Sequence, residues 1–264
     1  MNFTSMKQTV RNGIKYMPLL KNLIQRELRK KYRSTVLGYA WCILNPLLVM
    51  IIMTAVFSRM FSSSISNYPV YLFCGRMIYS FATGGAASVL RSIRGNSSLM
   101  RKTRIPYYIF PLASFSSAVV DFFFSVICFV LVLIFTGTPI SIHAIAFPFV
   151  FLQTAVFTLG FGMFLAVCNV YIQDTAYLYN IFTVAWMYLT PMFYPLSSLS
   201  ETMQKLIGTF NPLYFYITQM RAIFLDNAWP DGRMMLIGSA FACAALALGL
   251  LAYDKSKNSV ILYL

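Results

Sequence analysis

From Phe122 to Gln173 the chain runs for 52 residues without an aspartate, glutamate, lysine or arginine. A helix needs about 20 apolar residues to cross a bilayer, so this run holds two crossings. Thr136-Gly137-Thr138-Pro139 is the turn between them. Ser34 to Ser58 is another uncharged run, of 25 residues. At about 1.5 Å per residue it spans a hydrocarbon layer of about 30 Å. Such segments restrict the chain to an all-α, polytopic membrane fold, because an isolated backbone in lipid must satisfy its own hydrogen bonds. Composition agrees: 11% of the residues are charged, against about 25% in soluble domains. The expectation is one transmembrane domain over 1–264, with no soluble catalytic domain beside it. The five cysteines, Cys42, Cys74, Cys128, Cys168 and Cys243, lie in apolar runs without C-x-x-C spacing and read as packing residues.

Six spans are expected, at about 36–57, 68–90, 112–135, 144–170, 176–195 and 234–253. Gly84 to Ser88 in the second, and Gly238/Ala242 and Ala245/Gly249 in the last, supply the small residues that let helices approach closely. The half-polar stretch 196–233, broken at Pro212 and Pro230, has apolar pieces too short to cross and reads as re-entrant or interfacial helices.

The net charge of +14 is concentrated. Nine lysines and arginines precede Ser34, five lie between Arg91 and Arg104, and Lys255 and Lys257 are in the tail. Basic clusters beside apolar spans mark cytoplasmic flanks and anionic lipid, not nucleic acid. Both termini are therefore expected in the cytoplasm, with Arg59, Lys205, Arg221 and Arg233 on the other side, which an even number of spans satisfies. No cleaved signal peptide is read at the basic start.

Before the first span, Leu19, Leu20, Leu23, Ile24 and Leu28 recur at helical spacing, with Lys21, Gln25, Arg26, Arg29 and Lys30 between them. An amphipathic interfacial helix over 18–34 follows from that pattern. The run R-E-L-R-K-K-Y-R-S-T-V-L-G-Y-A-W-C-I-L-N-P-L, Arg26 to Leu47, resembles the entry signature of the permease subunits of ABC exporters that move lipid-linked cell-surface polysaccharides: O antigen, teichoic acid and capsule. Arg101–Leu112 is similar to that family's K-x-x-F-P-x-x-x-x-P-L, with Ile105 where Phe is usual. Asn169–Asp174 resembles its N-V-x-x-R-D loop, with Gln173 in place of Arg. Leu189–Pro195 (L-T-P-M-F-Y-P), Phe210–Leu213 (F-N-P-L) and Arg221 match its late motifs.

The resemblance implies a homodimer in the bacterial cytoplasmic membrane, working with two copies of a separate ABC ATPase. No G-x-x-x-x-G-K-[ST] phosphate loop is present, so ATP and Mg are expected on the partner and no cofactor or metal on this chain. Acids and histidine are too few and scattered for a buried enzyme site: seven acidic residues, one histidine, and Asp121 alone well inside a span.

By resemblance, the surface helix and the Arg91–Ile105 loop receive motion from the ATPase, which gives Glu27, Arg94, Arg101, Lys102, Arg104 and Asp174 a coupling role. As topology determinants these charges need no such role. The resemblance also makes 196–233 an external gate, with Asn211, Pro212 and Arg221 as its candidates. A sugar chain needs hydroxyl partners and aromatic faces. Tyr39, Trp41, Phe57, Tyr71, Tyr79, Tyr171, Tyr188, Phe193 and Tyr194 are candidates for lining its path, though packing and interface anchoring also explain aromatic residues in membranes. Arg76, at a position usually apolar in the family, reads either as a ligand for a substrate phosphate or as a snorkelling charge. Asp121 reads as the partner of a basic group on another helix. Rival readings are an exporter of small drugs or lipids, a membrane-bound acyl- or glycosyltransferase, and an ion channel.

Overall fold

The computed structural model describes residues 16–32, 37–61, 65, 67–102, 106–256 and 263, the side chains of Tyr32, Tyr39, Met60 and Phe61 excepted. Among these, every regular element is helical: α1 (Met17–Tyr32), α2 (Trp41–Phe61), α3 (Tyr68–Ser92), α4 (Ser97–Lys102), α5 (Ile109–Phe135), α6 (Phe147–Tyr171), α7 (Thr175–Tyr188), α8 (Glu201–Phe210), α9 (Pro212–Phe224) and α10 (Gly232–Ser256).

The bundle is built around α3, which packs against α2, α5, α6, α7 and α9. Its start is fixed by Asn67, whose side chain accepts from the Val70 backbone N–H, with Pro69 in the first turn. The Asn67 amide also donates to Thr138 Oγ1 at 2.8 Å, tying this end to the α5–α6 turn. α6 is the second interior helix. It lies against α3, where Gly162 meets Val89, and against α10 through glycine on glycine. A Cβ on Gly249 would stand 2.3 Å from the Gly160 carbonyl oxygen, so the α6 and α10 backbones touch.

Among the described residues four segments are long and apolar enough to cross a membrane: Trp41–Arg59, Ile109–Phe135, Ile142–Tyr171 and Gly232–Ser256. In the third 67% of the most apolar stretch is buried within the protein, and in the first 6%. The first thus presents Leu48, Ile51, Ile52 and Val56 outward. The expected second span is a 25-residue helix, α3, diluted in apolar character by Arg76, its serines and its glycines. The expected fifth span, 176–195, is shorter than read from sequence. α7 has 14 residues and stops at Tyr188. Pro191 has no N–H to continue the ladder and pushes Thr190 away from helical angles, so 189–195 turns instead. Gly38, at φ +51°, lets the chain turn into α2 where a side chain would be strained.

The helix expected at 18–34 is α1 over Met17–Tyr32, and positions 33 and 34 lie outside the described residues. Leu23 is buried, and Leu19, Leu20 and Ile24 rest with it on a cluster of Met100, Tyr107, Ile109, Phe110 and Met163. Lys21, Arg29, Lys30 and Lys31 stay exposed. The last three, at the C-terminal end of α1, complement its dipole.

Candidate functional site

A seam of tyrosine hydroxyls joins α3 to α7 and the turn after it. Tyr68 donates to the Phe193 carbonyl at 2.9 Å, Tyr71 to that of Tyr194 at 2.7 Å, and Tyr79 to that of Thr183. Tyr179 returns the contact, donating to the Thr83 carbonyl at 2.8 Å. The first two carbonyls lie beyond the end of α7 and have no helical partner, so the phenols satisfy them. Tyr71 and Tyr79 are thus buried within the chain with their hydroxyls committed. Phe193 is buried too, stacked on Phe57 at 5.4 Å. Trp41, Tyr171 and Tyr188 are exposed, and Tyr194 is half-buried with its hydroxyl on the Tyr188 carbonyl. The side chain of Tyr39 lies outside the described residues.

Asn211 joins the short helices α8 and α9 and is the hub of this end. Its Oδ1 accepts from the Leu213 N–H at 3.1 Å and from Trp186 Nε1 at 3.0 Å. Its Nδ2 donates to the Leu189 carbonyl at 3.1 Å and Thr190 Oγ1 at 3.0 Å. Pro212 follows in the first turn of α9, where its missing N–H is harmless. One residue thereby caps α9 and holds the turn after α7.

Arg221, on α9, lies over the Tyr71 ring with its guanidinium carbon 3.4 Å from the centroid. Its Nη2 donates to the Met192 carbonyl at 3.1 Å. No carboxylate pairs with it among the described residues; the aromatic face and the carbonyl dipole hold the charge. Gly75 leaves the room: a Cβ there would meet Nη2 at 3.2 Å.

Between α3 and α5 runs a groove with polar groups set in a largely apolar lining. A cavity of about 220 Å³ is lined by Trp41, Asn45, Arg76, Ser80, Asp121 and Ser125, among others. A second, of about 160 Å³, shares Ser80, Asp121 and Ser125 with it and continues past Gly84 and Ser88 to Lys31. Lys31 of α1 pairs with Asp121 at 2.6 Å, the cross-helix partner expected for that carboxylate. A third cavity, about 590 Å³ and almost wholly apolar, lies among α6, α7, α8 and α10, with Phe161, Phe182, Trp186 and Phe241 in its walls.

At the other end of the bundle three elements that are far apart in sequence converge. Arg26 of α1 donates to Asn96 Oδ1 and, at 3.0 Å, to Glu27, which Lys30 also approaches at 3.6 Å. Arg94 donates to the Val170 carbonyl at 3.4 Å, and Asn169 to that of Leu90 at 3.3 Å. The tail joins them: Tyr107 donates to the Tyr253 carbonyl at 2.7 Å with the two rings 4.1 Å apart. Burial pushes the Tyr107 phenol pKa up, so it remains a neutral donor. Arg101 and Lys102 are exposed on α4, and Asp174 is exposed immediately before α7. Arg104 lies outside the described residues.

Sequence reasoning named Asn211, Arg221, Arg76 and Asp121. It missed Trp186, Tyr107 and Tyr253, whose partners are backbone or amide groups that no local pattern announces.

A helical bundle with four segments, among the described residues, long and apolar enough to cross a membrane is the architecture of a multi-pass membrane protein. The family model for the ABC-2 type transporter matches residues 18–225, and the chain belongs to that family. It is 30% identical over 245 residues to the O-antigen export system permease protein RfbA of Myxococcus xanthus, covering 91% of this chain and 93% of that protein. Two proteins of the same name from Klebsiella pneumoniae are 26% and 25% identical over 210 residues, 79% of this chain and 81% of each of theirs. The chain is a transport subunit of an ABC system, in which an ATPase is the implied partner.

Proposed function

We propose that this chain is the transmembrane subunit of an ATP-driven exporter that moves a lipid-linked polysaccharide or polyol-phosphate polymer across the bacterial cytoplasmic membrane. Two copies of the chain and two of a separate ABC ATPase make the working unit. Each copy is one transmembrane domain crossing six times, α3 and α7 included, with both termini in the cytoplasm. The observation that carries this reading is the arrangement of α2, α3 and α7. α2 and α7 leave apolar faces outward, with Ile51, Ile52, Ile181 and Phe182 exposed, on either side of an α3 face that exposes Ser80, Gly84 and Arg91. A second copy placed against those faces encloses a path with polar groups inside and grease outside.

In this reading α1, the 94–102 segment and the turn before α7 form one lever for the ATPase, with Glu27, Arg94, Arg101, Lys102, Arg104 and Asp174 along it. Asn211, Pro212 and Arg221 hold the external gate shut. Trp41, Tyr188 and Tyr194 offer ring faces to the sugar, while Tyr71, Tyr79, Phe57 and Phe193 keep the wall rigid. The named permeases to which the chain is similar make O antigen the first polymer to try.

The test is reconstitution of this chain with an ABC ATPase encoded beside it. A stable complex that hydrolyses ATP and moves lipid-linked polymer into vesicles is the expected result. Failure to form a complex, or a complex inert towards every lipid-linked glycan offered, refutes it. The apolar cavity of about 590 Å³ favours one second reading, export of a small lipid, which the same vesicles test with labelled lipids.

A further inference from the structure

The groove between α3 and α5 carries a guanidinium that no carboxylate among the described residues pairs with. Asp121 is matched by Lys31. Arg76, half-buried in the wall of the same groove, has no carboxylate partner among the described residues. A guanidinium inside the hydrocarbon layer is expensive and is kept there when it serves a ligand, a counter-ion or water. Arg76, Ser80, Gly84 and Ser88 succeed one another at four-residue steps, one face of a helix. Gly84 has open space before it, and Arg91, exposed and touching Asn180 of α7 at 3.2 Å, ends the row.

We infer that this face of α3 binds anionic groups, carboxylates or phosphates, carried at intervals along the exported glycan itself. The inference rests on the proposed glycan path and specifies its cargo as an acidic polymer. Arg76 and Arg91 are fifteen residues apart, about 22 Å along the helix. One lipid headgroup cannot touch both. A chain with repeated negative charges touches each in turn, with the serine hydroxyls between serving its neutral hydroxyls. Guanidinium suits either acid, because its fork of donors matches carboxylate and phosphate oxygens alike.

The test uses the full-length chain purified in neutral detergent and three probes: oligogalacturonate, oligo(glycerol phosphate) and uncharged maltoheptaose. At least one acidic probe is expected to bind, and which one does separates carboxylate from phosphate cargo. Arg76→Gln and Arg91→Gln each weaken its binding tenfold or more, Arg76→Lys keeps most of it, and weak maltoheptaose binding is the same in all four proteins. Size-exclusion profiles report folding; if Arg76→Gln is misfolded, Arg91→Gln and Arg76→Lys decide. Equal binding of acidic and neutral probes, no acidic binding, or acidic binding indifferent to Arg91→Gln and Arg76→Gln overturns the inference. So does complete displacement by phosphatidylglycerol micelles at low molar ratio, which makes the groove a headgroup site. The exporter reading stands or falls separately, on complex formation with the ATPase and on transport of a neutral lipid-linked glycan.

Discussion

Arg221 and Tyr71 are stacked, guanidinium carbon to ring centre at 3.4 Å, and each also holds the turn after α7: Arg221 through the Met192 carbonyl, Tyr71 through that of Tyr194. The pair makes α3, α9 and the 189–195 turn a single unit. Tyr71→Phe keeps the ring under the charge and loses one hydrogen bond, costing about 1 kcal/mol. Tyr71→Leu removes both and is expected to cost about 2–3 kcal/mol, as the sum of a hydrogen bond and a partly desolvated cation–π contact. A double-mutant cycle with Arg221→Met, read by thermal unfolding in detergent, reports the coupling. Additive effects refute the pairing.

Asn211 makes four hydrogen bonds with both ends of its amide. Asn211→Ala leaves the Trp186 indole N–H and the start of α9 unsatisfied, and about 2–4 kcal/mol of stability is expected to go. Asn211→Asp keeps the two accepting contacts but sets a carboxylate oxygen against the Leu189 carbonyl in place of one donated bond, so it too should destabilise this end. Limited proteolysis near 189–200 is the local readout. Cleavage unchanged in both variants counts against the hub.

The contact of α6 with α10 sets a steric test. Gly249→Ala drives a methyl into the Gly160 carbonyl oxygen, and the helices must separate. Yield of folded, monodisperse protein is expected to collapse, because interiors packed at this density do not yield by an ångström without a loss of about 1–3 kcal/mol or more. Gly84→Ala, with nothing within 4 Å, is the matched control and should leave folding unchanged.

Lys31 and Asp121 form a salt bridge of 2.6 Å between α1 and α5, both partly exposed. Its coupling energy is expected at about 0.2–1 kcal/mol, the range for pairs that solvent still reaches. Lys31→Glu alone and Asp121→Lys alone should each loosen α1, and the double reversal should restore it. Protection of α1 amides in hydrogen exchange measures this. Failure of the reversal to restore protection rejects the bridge as an anchor for α1.

Much of the bundle is visible in the order of residues. The three- and four-residue spacing from Leu19 to Ile24 writes α1, and the uncharged 52 residues after Asp121 write two crossings with Gly137, at φ +65°, between them. The end of α7 is harder to read, because Leu189, Met192 and Phe193 keep the apolar run going past Tyr188, where the helix stops ahead of Pro191. Hydrophobicity reports the environment, and one missing N–H decides the conformation. The aromatic candidates divide for a similar reason. A tyrosine that lines a path and one that ties down a carbonyl have the same side chain, and the partners of Tyr71 and Tyr79 lie more than 100 residues away. The charge balance of the groove depends on Lys31 and Asp121, 90 residues apart, which only the crossing of α1 over α5 brings together.

Fourteen residues give α7 a rise of about 21 Å, some 9 Å short of an average hydrocarbon layer. If α7 crosses, as the proposed six-span reading has it, the lipid beside it thins or yields its place to protein. In the proposed export reading, a stunted helix beside the path shortens the barrier that a hydrated chain has to cross.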